Sequence, residues 1–219
     1  MLQRFLDPKH PSLKVCGVTL GGDAERLAEL GVDALGANFW PRSKRYLDPE
    51  CAGFLGDLAG RILRVGVFVN AGTELPISLF EQGLIDVAQL HGDEPANEIA
   101  TLQEAGIPVF RSVAVRAEET LAAELSSGPD AILLDAHAPG IYGGTGQTID
   151  WDAAATFISE HPDTPVILAG GITPENAAEA LRSTSPAALD TASGSESAPG
   201  IKDFTKVEAL MRAIRADQD

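Results

Sequence analysis

Short apolar runs rich in β-branched residues alternate along the chain with stretches whose apolar residues recur every three or four positions. The first pattern is that of buried strands, and the second that of helices with one apolar face. Strands are predicted at 13–18, 34–39, 63–69, 87–90, 109–115, 131–135, 166–169 and 188–190. The clearest helices fall at 24–30, 94–105, 118–125, 152–160, 174–181 and 202–215, with a further one at 49–58. Asp23, Asp150 and Thr173 stand where N-caps belong, the last followed by Pro174 at the first helical position. Such alternation implies parallel strands joined by right-handed crossovers. Eight repeats in 219 residues predict an α/β fold of the (β/α)8 TIM-barrel kind, a parallel eight-stranded barrel in a single domain. A doubly wound sheet is the structural alternative. The barrel is expected to span 13–215, with an N-terminal extension at 1–12 and a short tail at 216–219. The segment 136–149, with four glycines between Gly140 and Gly146, is longer than its neighbours and reads as functional.

Composition narrows the function classes. No apolar run approaches the roughly 20 residues of a membrane span, and the first fourteen residues hold no apolar signal core. A cytoplasmic location is expected. Two cysteines, Cys16 and Cys51, make neither a disulfide framework nor a metal cluster. Cys51 is expected to be a packing residue of its helix. The formal net charge of −16 argues against nucleic acid, whose binding depends on Lys and Arg contacts to phosphate. It leaves room for a small anion held at a local positive site.

The candidate chemistry collects at strand ends. Cys16 closes the first strand and Asp135 the sixth, placing two proton-transfer groups at the C-terminal ends of parallel strands. That is where barrel enzymes carry acid–base chemistry. A thiol serves as base only when ionised, and a carboxyl serves as acid only where its surroundings keep the proton on. From the residues alone the two roles could be exchanged. Gly170-Gly171 after strand seven and Ser193-Gly194 after strand eight fall where barrels often cradle a phosphate with backbone N–H groups. The cluster Pro41-Arg42-Ser43-Lys44-Arg45-Tyr46 after strand two is basic in a very acidic chain, and arginine can grip a carboxylate bidentately. His91, at the end of strand four, has no second histidine at ligand spacing and reads as structural or as support for a catalytic group.

Together these stretches resemble the phosphoribosylanthranilate isomerase family of tryptophan biosynthesis. The matching segments are KVCGVT at 14–19, GANFWPRSKRY at 36–46, VGVFVN at 65–70, VAQLHGDE at 87–94, LLDA at 133–136, GGTG at 143–146, LAGGITPEN at 168–176 and SGSESAPGIKD at 193–203. The likeness runs in order over about 13–215. It implies a barrel enzyme without metal or organic cofactor. Its reaction is the Amadori rearrangement of N-(5-phosphoribosyl)anthranilate to 1-(2-carboxyphenylamino)-1-deoxyribulose 5-phosphate. By that resemblance Cys16 is the general base at C2 of the opened sugar, and Asp135 is the general acid at the ring oxygen. Arg45 would hold the anthranilate carboxylate. Gly170, Gly171, Ser193 and Gly194 would cradle the phosphate, and Asp190 would face the substrate. The implied partner is a small phosphosugar, with no nucleic acid and no membrane, and the implied assembly is a monomer or homodimer.

The chain departs from the family pattern at Ala192, where a second serine is common, at Lys44, where proline is common, and at Gln147, where Lys or Arg is common. Competing readings are a related phosphosugar isomerase of histidine biosynthesis, an enzyme of dual substrate range, or a silent phosphosugar-binding barrel. The histidine-pathway enzymes resemble two half-barrels and carry an aspartate base where this chain has Cys16.

Overall fold

A computed structural model describes residues 1–114, 125, 127–135 and 150–216. Eight parallel strands close into a barrel. They are β1 Ser12–Cys16, β2 Ala34–Asn38, β3 Leu63–Phe68, β4 Val87–Leu90, β5 Val109–Ala114, β6 Ala131–Asp135, β7 Val166–Leu168 and β8 Ala188–Thr191. The barrel shuts where β1 meets β8, with Lys14 opposite Asp190 and Val15 opposite Thr191. β1 ends at Cys16 because Gly17 turns the chain into the left-handed region at φ +77°. The thiol is therefore the last side chain of its strand.

Around the barrel lie α2 Gly21–Leu30, a 3-10 helix at Pro49–Leu58, α3 Glu74–Glu81, α4 Ala96–Glu104, α5 Trp151–Glu160, α6 Ala177–Thr184 and α7 Phe204–Arg215. A short α1, Leu2–Phe5, precedes β1. A 3-10 turn at Ser193–Ser195 leads into an antiparallel hairpin of β9 Glu196–Ala198 and β10 Ile201–Lys202. The helix expected at 118–125 falls almost wholly outside the described residues, and the glycine-rich segment 136–149 entirely so. Among the described residues no helix is long and apolar enough to cross a membrane.

Alternation along the strands sorts side chains into two cores. Ile132 and Leu134 face outward to the helices, while Ala131 and Leu133 join Val65, Val87, Phe110 and Ile167 inside the barrel. Phe5 of α1, 1% exposed, stacks on Phe110 with ring centroids 6.0 Å apart and fills the N-terminal end of this inner core. The same alternation leaves Leu13 and Val15 outward and sends Lys14 and Cys16 inward.

Local readings fare unevenly. Asp150 caps α5, accepting from the N–H groups of Asp152 and Ala153 at 3.1 Å. Asp23 is no cap. It lies inside the first turn of α2, and its carboxylate accepts the Lys202 N–H at 3.0 Å. Thr173 is not a cap either, because residues 174–176 form a turn and α6 begins only at Ala177. Asp203, unforeseen, caps α7 by accepting from Thr205 and Lys206. The helix expected from 202 starts after it because Lys202 belongs to β10. Cys51, expected to pack, is exposed. Its segment is a 3-10 helix, whose three-residue period buries Ala52, Leu55 and Leu58 and turns Cys51 outward.

Candidate active site

The C-terminal ends of the strands surround one pocket. Cys16, Arg45, His91, Asp135, Gly170, Gly171, Asp190 and Ser193 all line it. Eight of the nine residues singled out from the sequence thus meet in one place, from strands one, six and eight and from the loops after strands two, four, seven and eight. Gly194 stands one residue behind that lining and has a packing role. A Cβ there would drive into the carbonyl oxygen of Ile172. Thr191 Oγ1 donates to that same oxygen at 2.7 Å. The loops after β7 and β8 are therefore stitched together at backbone contact. Gly170 and Gly171 both take positive φ, +82° and +70°, which a side chain would strain. Ala192 also lines the pocket and offers no hydroxyl.

Charge is concentrated around Cys16. Lys14, wholly buried, donates from Nζ to Asp190 Oδ1 at 2.9 Å. Lys202 Nζ donates to the Cys16 carbonyl oxygen at 2.6 Å and to Glu196 Oε1 at 2.9 Å. Arg45 comes from the basic loop across the barrel mouth. Its Nε donates to Glu196 Oε1 at 2.8 Å and its Nη2 to Oε2 at 2.7 Å. Arg45 is therefore a fixed part of the site. Its Nη1 makes no hydrogen bond among the described residues.

The titration of these groups follows from the same contacts. Burial pushes the Cys16 thiol up, opposed by Lys14 and Lys202, while Asp190 adds to the rise. Burial would lower Lys14, but Asp190 and the Cys16 thiolate together outweigh it and raise the ammonium above its usual range. Burial would raise Glu196, but Arg45 and Lys202 hold its carboxyl below the usual carboxylate range. Lys202 is lowered, mainly by burial.

On the far side, His91 touches Asp135. Its Nε2 lies 3.3 Å from Asp135 Oδ2 and 3.3 Å from Ser112 Oγ. Its Nδ1 lies 3.0 Å from Gln89 Nε2. With the Gln89 amide in this orientation its nitrogen donates to Nδ1, which leaves the ring proton on Nε2, facing the carboxylate. His91, read from the sequence as structural or as support for a catalytic group, is thus in contact with Asp135. Behind it, Glu94 accepts from the N–H groups of Asn70 at 2.8 Å and Gly92 at 2.9 Å and from Arg111 Nη1 at 2.7 Å. That bracket ties the loops after β3 and β4 to β5.

Sequence reasoning missed Lys14, Glu196, Lys202 and Gln89. Lys14 had a readable signal, a lysine inside an apolar strand two residues before Cys16 and so on the same face. Glu196 and Lys202 had none, since their partners arrive only when the barrel closes. Among the described residues no group of three or more His, Cys, Asp or Glu is placed to hold a metal ion.

Comparison with known proteins places this site in a family. The model of N-(5'-phosphoribosyl)anthranilate isomerases matches residues 13–213. The N-(5'-phosphoribosyl)anthranilate isomerase of Myxococcus xanthus is 42% identical over 211 residues, covering 93% of this chain and 96% of that protein. The crystal structure of phosphoribosyl anthranilate isomerase from Thermotoga maritima superposes with a TM-score of 0.83 at 33% identity, over 94% of this chain and 99% of that one. A structure of such an isomerase in complex with reduced 1-(o-carboxyphenylamino)-1-deoxyribulose 5-phosphate has a TM-score of 0.80 at 32% identity, over 94% and 99% of the two chains. The chain belongs to the N-(5'-phosphoribosyl)anthranilate isomerase family.

Proposed function

We propose that this enzyme converts N-(5-phosphoribosyl)anthranilate to 1-(2-carboxyphenylamino)-1-deoxyribulose 5-phosphate, a step of tryptophan biosynthesis, with Cys16 as general base and Asp135 as general acid. The observation that carries the assignment is that the two groups end β1 and β6 and face one pocket, floored on one side by the paired loops after β7 and β8. In the first step Asp135 gives a proton to the furanose ring oxygen as the C1–O bond opens. The anthranilate nitrogen lone pair forms the C1=N bond. The Cys16 thiolate then removes the proton from C2, and the electron pair passes through C1 to the nitrogen. The resulting enolamine tautomerises to the ketone. His91, with its proton toward Asp135, stabilises the carboxylate left behind.

Arg45 offers Nη1 to the anthranilate carboxylate while Glu196 fixes its other edge. A planar guanidinium held on one side is already oriented for a second carboxylate. The phosphate sits against Gly170, Gly171, Ser193 and Gly194. With Ala192 in place of a hydroxyl residue, backbone N–H groups carry that contact. Asp190 holds Lys14 and borders the sugar.

The test is loss of anthranilate fluorescence from freshly generated phosphoribosylanthranilate, with and without a chelator. Rapid turnover unaffected by chelator is expected, as is near-complete loss in Cys16→Ala with phosphate affinity retained. A Cys16→Ala enzyme that keeps more than roughly a tenth of its activity, far above what removal of a general base leaves, would sink the base assignment. Asp135→Asn should lower kcat strongly and leave product affinity nearly unchanged. Lost affinity instead would make Asp135 a binding group.

A further inference from the structure

A base role for Cys16 carries a physical difficulty. Only a thiolate can take a proton, yet Cys16 is drawn into the pocket lining, where burial favours the neutral thiol. Something in the fold must favour the anion.

The charges near the sulfur come from every element packed around it: Lys14 on β1, Asp190 on β8, Glu196 on β9, Lys202 on β10 and Arg45 from the loop after β2. His91 and Asp135 face it across the pocket. The near ring has three cations and two carboxylates, hence one positive charge more than it can neutralise. Glu196 takes up Arg45 and Lys202 together, and Lys202 spends a further N–H on the Cys16 carbonyl oxygen. Lys14 has a single carboxylate contact, to Asp190. It faces the sulfur across Gly36. The point where a Cβ on Gly36 would stand lies 2.7 Å from Cys16 Sγ and 3.2 Å from Lys14 Nζ. Sulfur and nitrogen are therefore within the ~4–6 Å over which an opposite charge favours the ionised form. The absence of a side chain at Gly36 is what lets them converge.

Resting on the reading of Cys16 as the base, we propose that Lys14 is a positioning residue that favours ionisation of the Cys16 thiol against the burial opposing it, with Asp190 anchoring the ammonium in place. Once ionised, the sulfur is the second anion of a Lys14-centred triad. The surplus charge of the ring is its counter-charge.

The experiment is a titration of the Cys16 thiolate by ultraviolet absorbance, without substrate, taking the difference from Cys16→Ala so that Cys51 and the tyrosines cancel. Lys14→Met should raise the midpoint by roughly one to three units, the effect of losing one nearby opposite charge. Lys14→Arg should stay near wild type. Should Lys14→Met fail to fold around the unpaired Asp190, the double variant Lys14→Met/Asp190→Asn removes both buried charges. It should still raise the midpoint, by less, because Lys14 acts on the sulfur more strongly than Asp190 does. A folded variant of either kind that titrates like wild type overturns the proposal, because a merely structural lysine would leave the thiol untouched. The titration needs no turnover, so its failure and that of the base assignment are told apart. Activity retained in Cys16→Ala would remove the base and leave the Lys14–Cys16 relationship to be judged by its own midpoint.

Discussion

Arg45 and Glu196 lie 151 residues apart in sequence and meet as a fork at the barrel mouth, Nε 2.8 Å from Oε1 and Nη2 2.7 Å from Oε2. Glu196 thereby decides where the guanidinium points, and through Lys202 it also ties the hairpin of β9 and β10 to the end of β1. Glu196→Gln should raise KM more than it lowers kcat, because Arg45 loses its orientation while the acid and base remain. It should also cost about 3–5 kcal/mol of stability, the usual effect of breaking a buried ion pair from one side. Steady-state kinetics and denaturant unfolding measure the two effects separately. Equal losses in kcat and kcat/KM would show that Glu196 acts on the transition state and not on binding.

The same carboxylate gives a pH signature. The Glu196 pKa is lower folded than unfolded, because Arg45 and Lys202 outweigh burial. Its stabilisation is therefore present above the ordinary glutamate value of about 4.3 and is lost as pH falls through the folded value. Wild type should lose stability faster than Glu196→Gln as pH is taken down from about 5. Parallel curves for the two proteins would remove Glu196 from the acid sensitivity of the fold.

His91→Asn keeps a small polar side chain but takes the Nε2 proton away from Asp135. We expect kcat to fall by roughly tenfold, less than the 10²–10⁴ at stake when a general acid itself is lost. KM should change little, and the pH dependence of kcat should shift. A uniform drop at every pH, with the profile unmoved, would mean that His91 only packs.

Gly194→Ala probes the stitched loops. The added methyl has nowhere to go but into the Ile172 carbonyl, so the loops after β7 and β8 must part. Affinity for inorganic phosphate, measured by competition, should weaken together with a rise in KM. Unchanged phosphate affinity would place the anion elsewhere.

Phe5→Ala acts from the opposite end of the barrel. Phe5 is buried on Phe110, and losing such a ring costs about 3–5 kcal/mol. At this size that corresponds to a fall in Tm of roughly 10 °C. Activity per folded molecule should be unchanged. A low Tm with altered kcat would reveal a path from the barrel floor to its mouth.

What the sequence revealed and what it hid divide along physical lines. Strands such as 87–90 and 131–135 were legible to the residue because a buried parallel strand is a continuous apolar run bounded by polar residues. The convergence of Cys16, Asp135, Gly170, Gly171 and Ser193 on one pocket was legible because a barrel gathers its strand ends at one face, a position that can be counted along a chain. Asp23 and Thr173 misled because a carboxylate or hydroxyl before a helical run is a cap only if the helix starts where the pattern does. The Arg45–Glu196–Lys202 network was illegible, since no local rule links a loop after β2 with a hairpin after β8. Lys14 lay between these cases. Its burial could be read from the alternation, but its partner could not.

The seam between β1 and β8 joins the two ends of the chain, and Lys14 meets Asp190 across 176 residues. The ring of charges around Cys16 is thus incomplete without β8 and the hairpin of β9 and β10. A nascent chain lacks these contacts to Cys16 until its eighth strand and the hairpin after it have left the ribosome and met the first strand. A protein split between β4 and β5 would put Cys16, Arg45 and His91 on one half and Asp135 with the glycine loops on the other. Neither half could turn over alone, and recovered turnover on mixing would report ring closure itself.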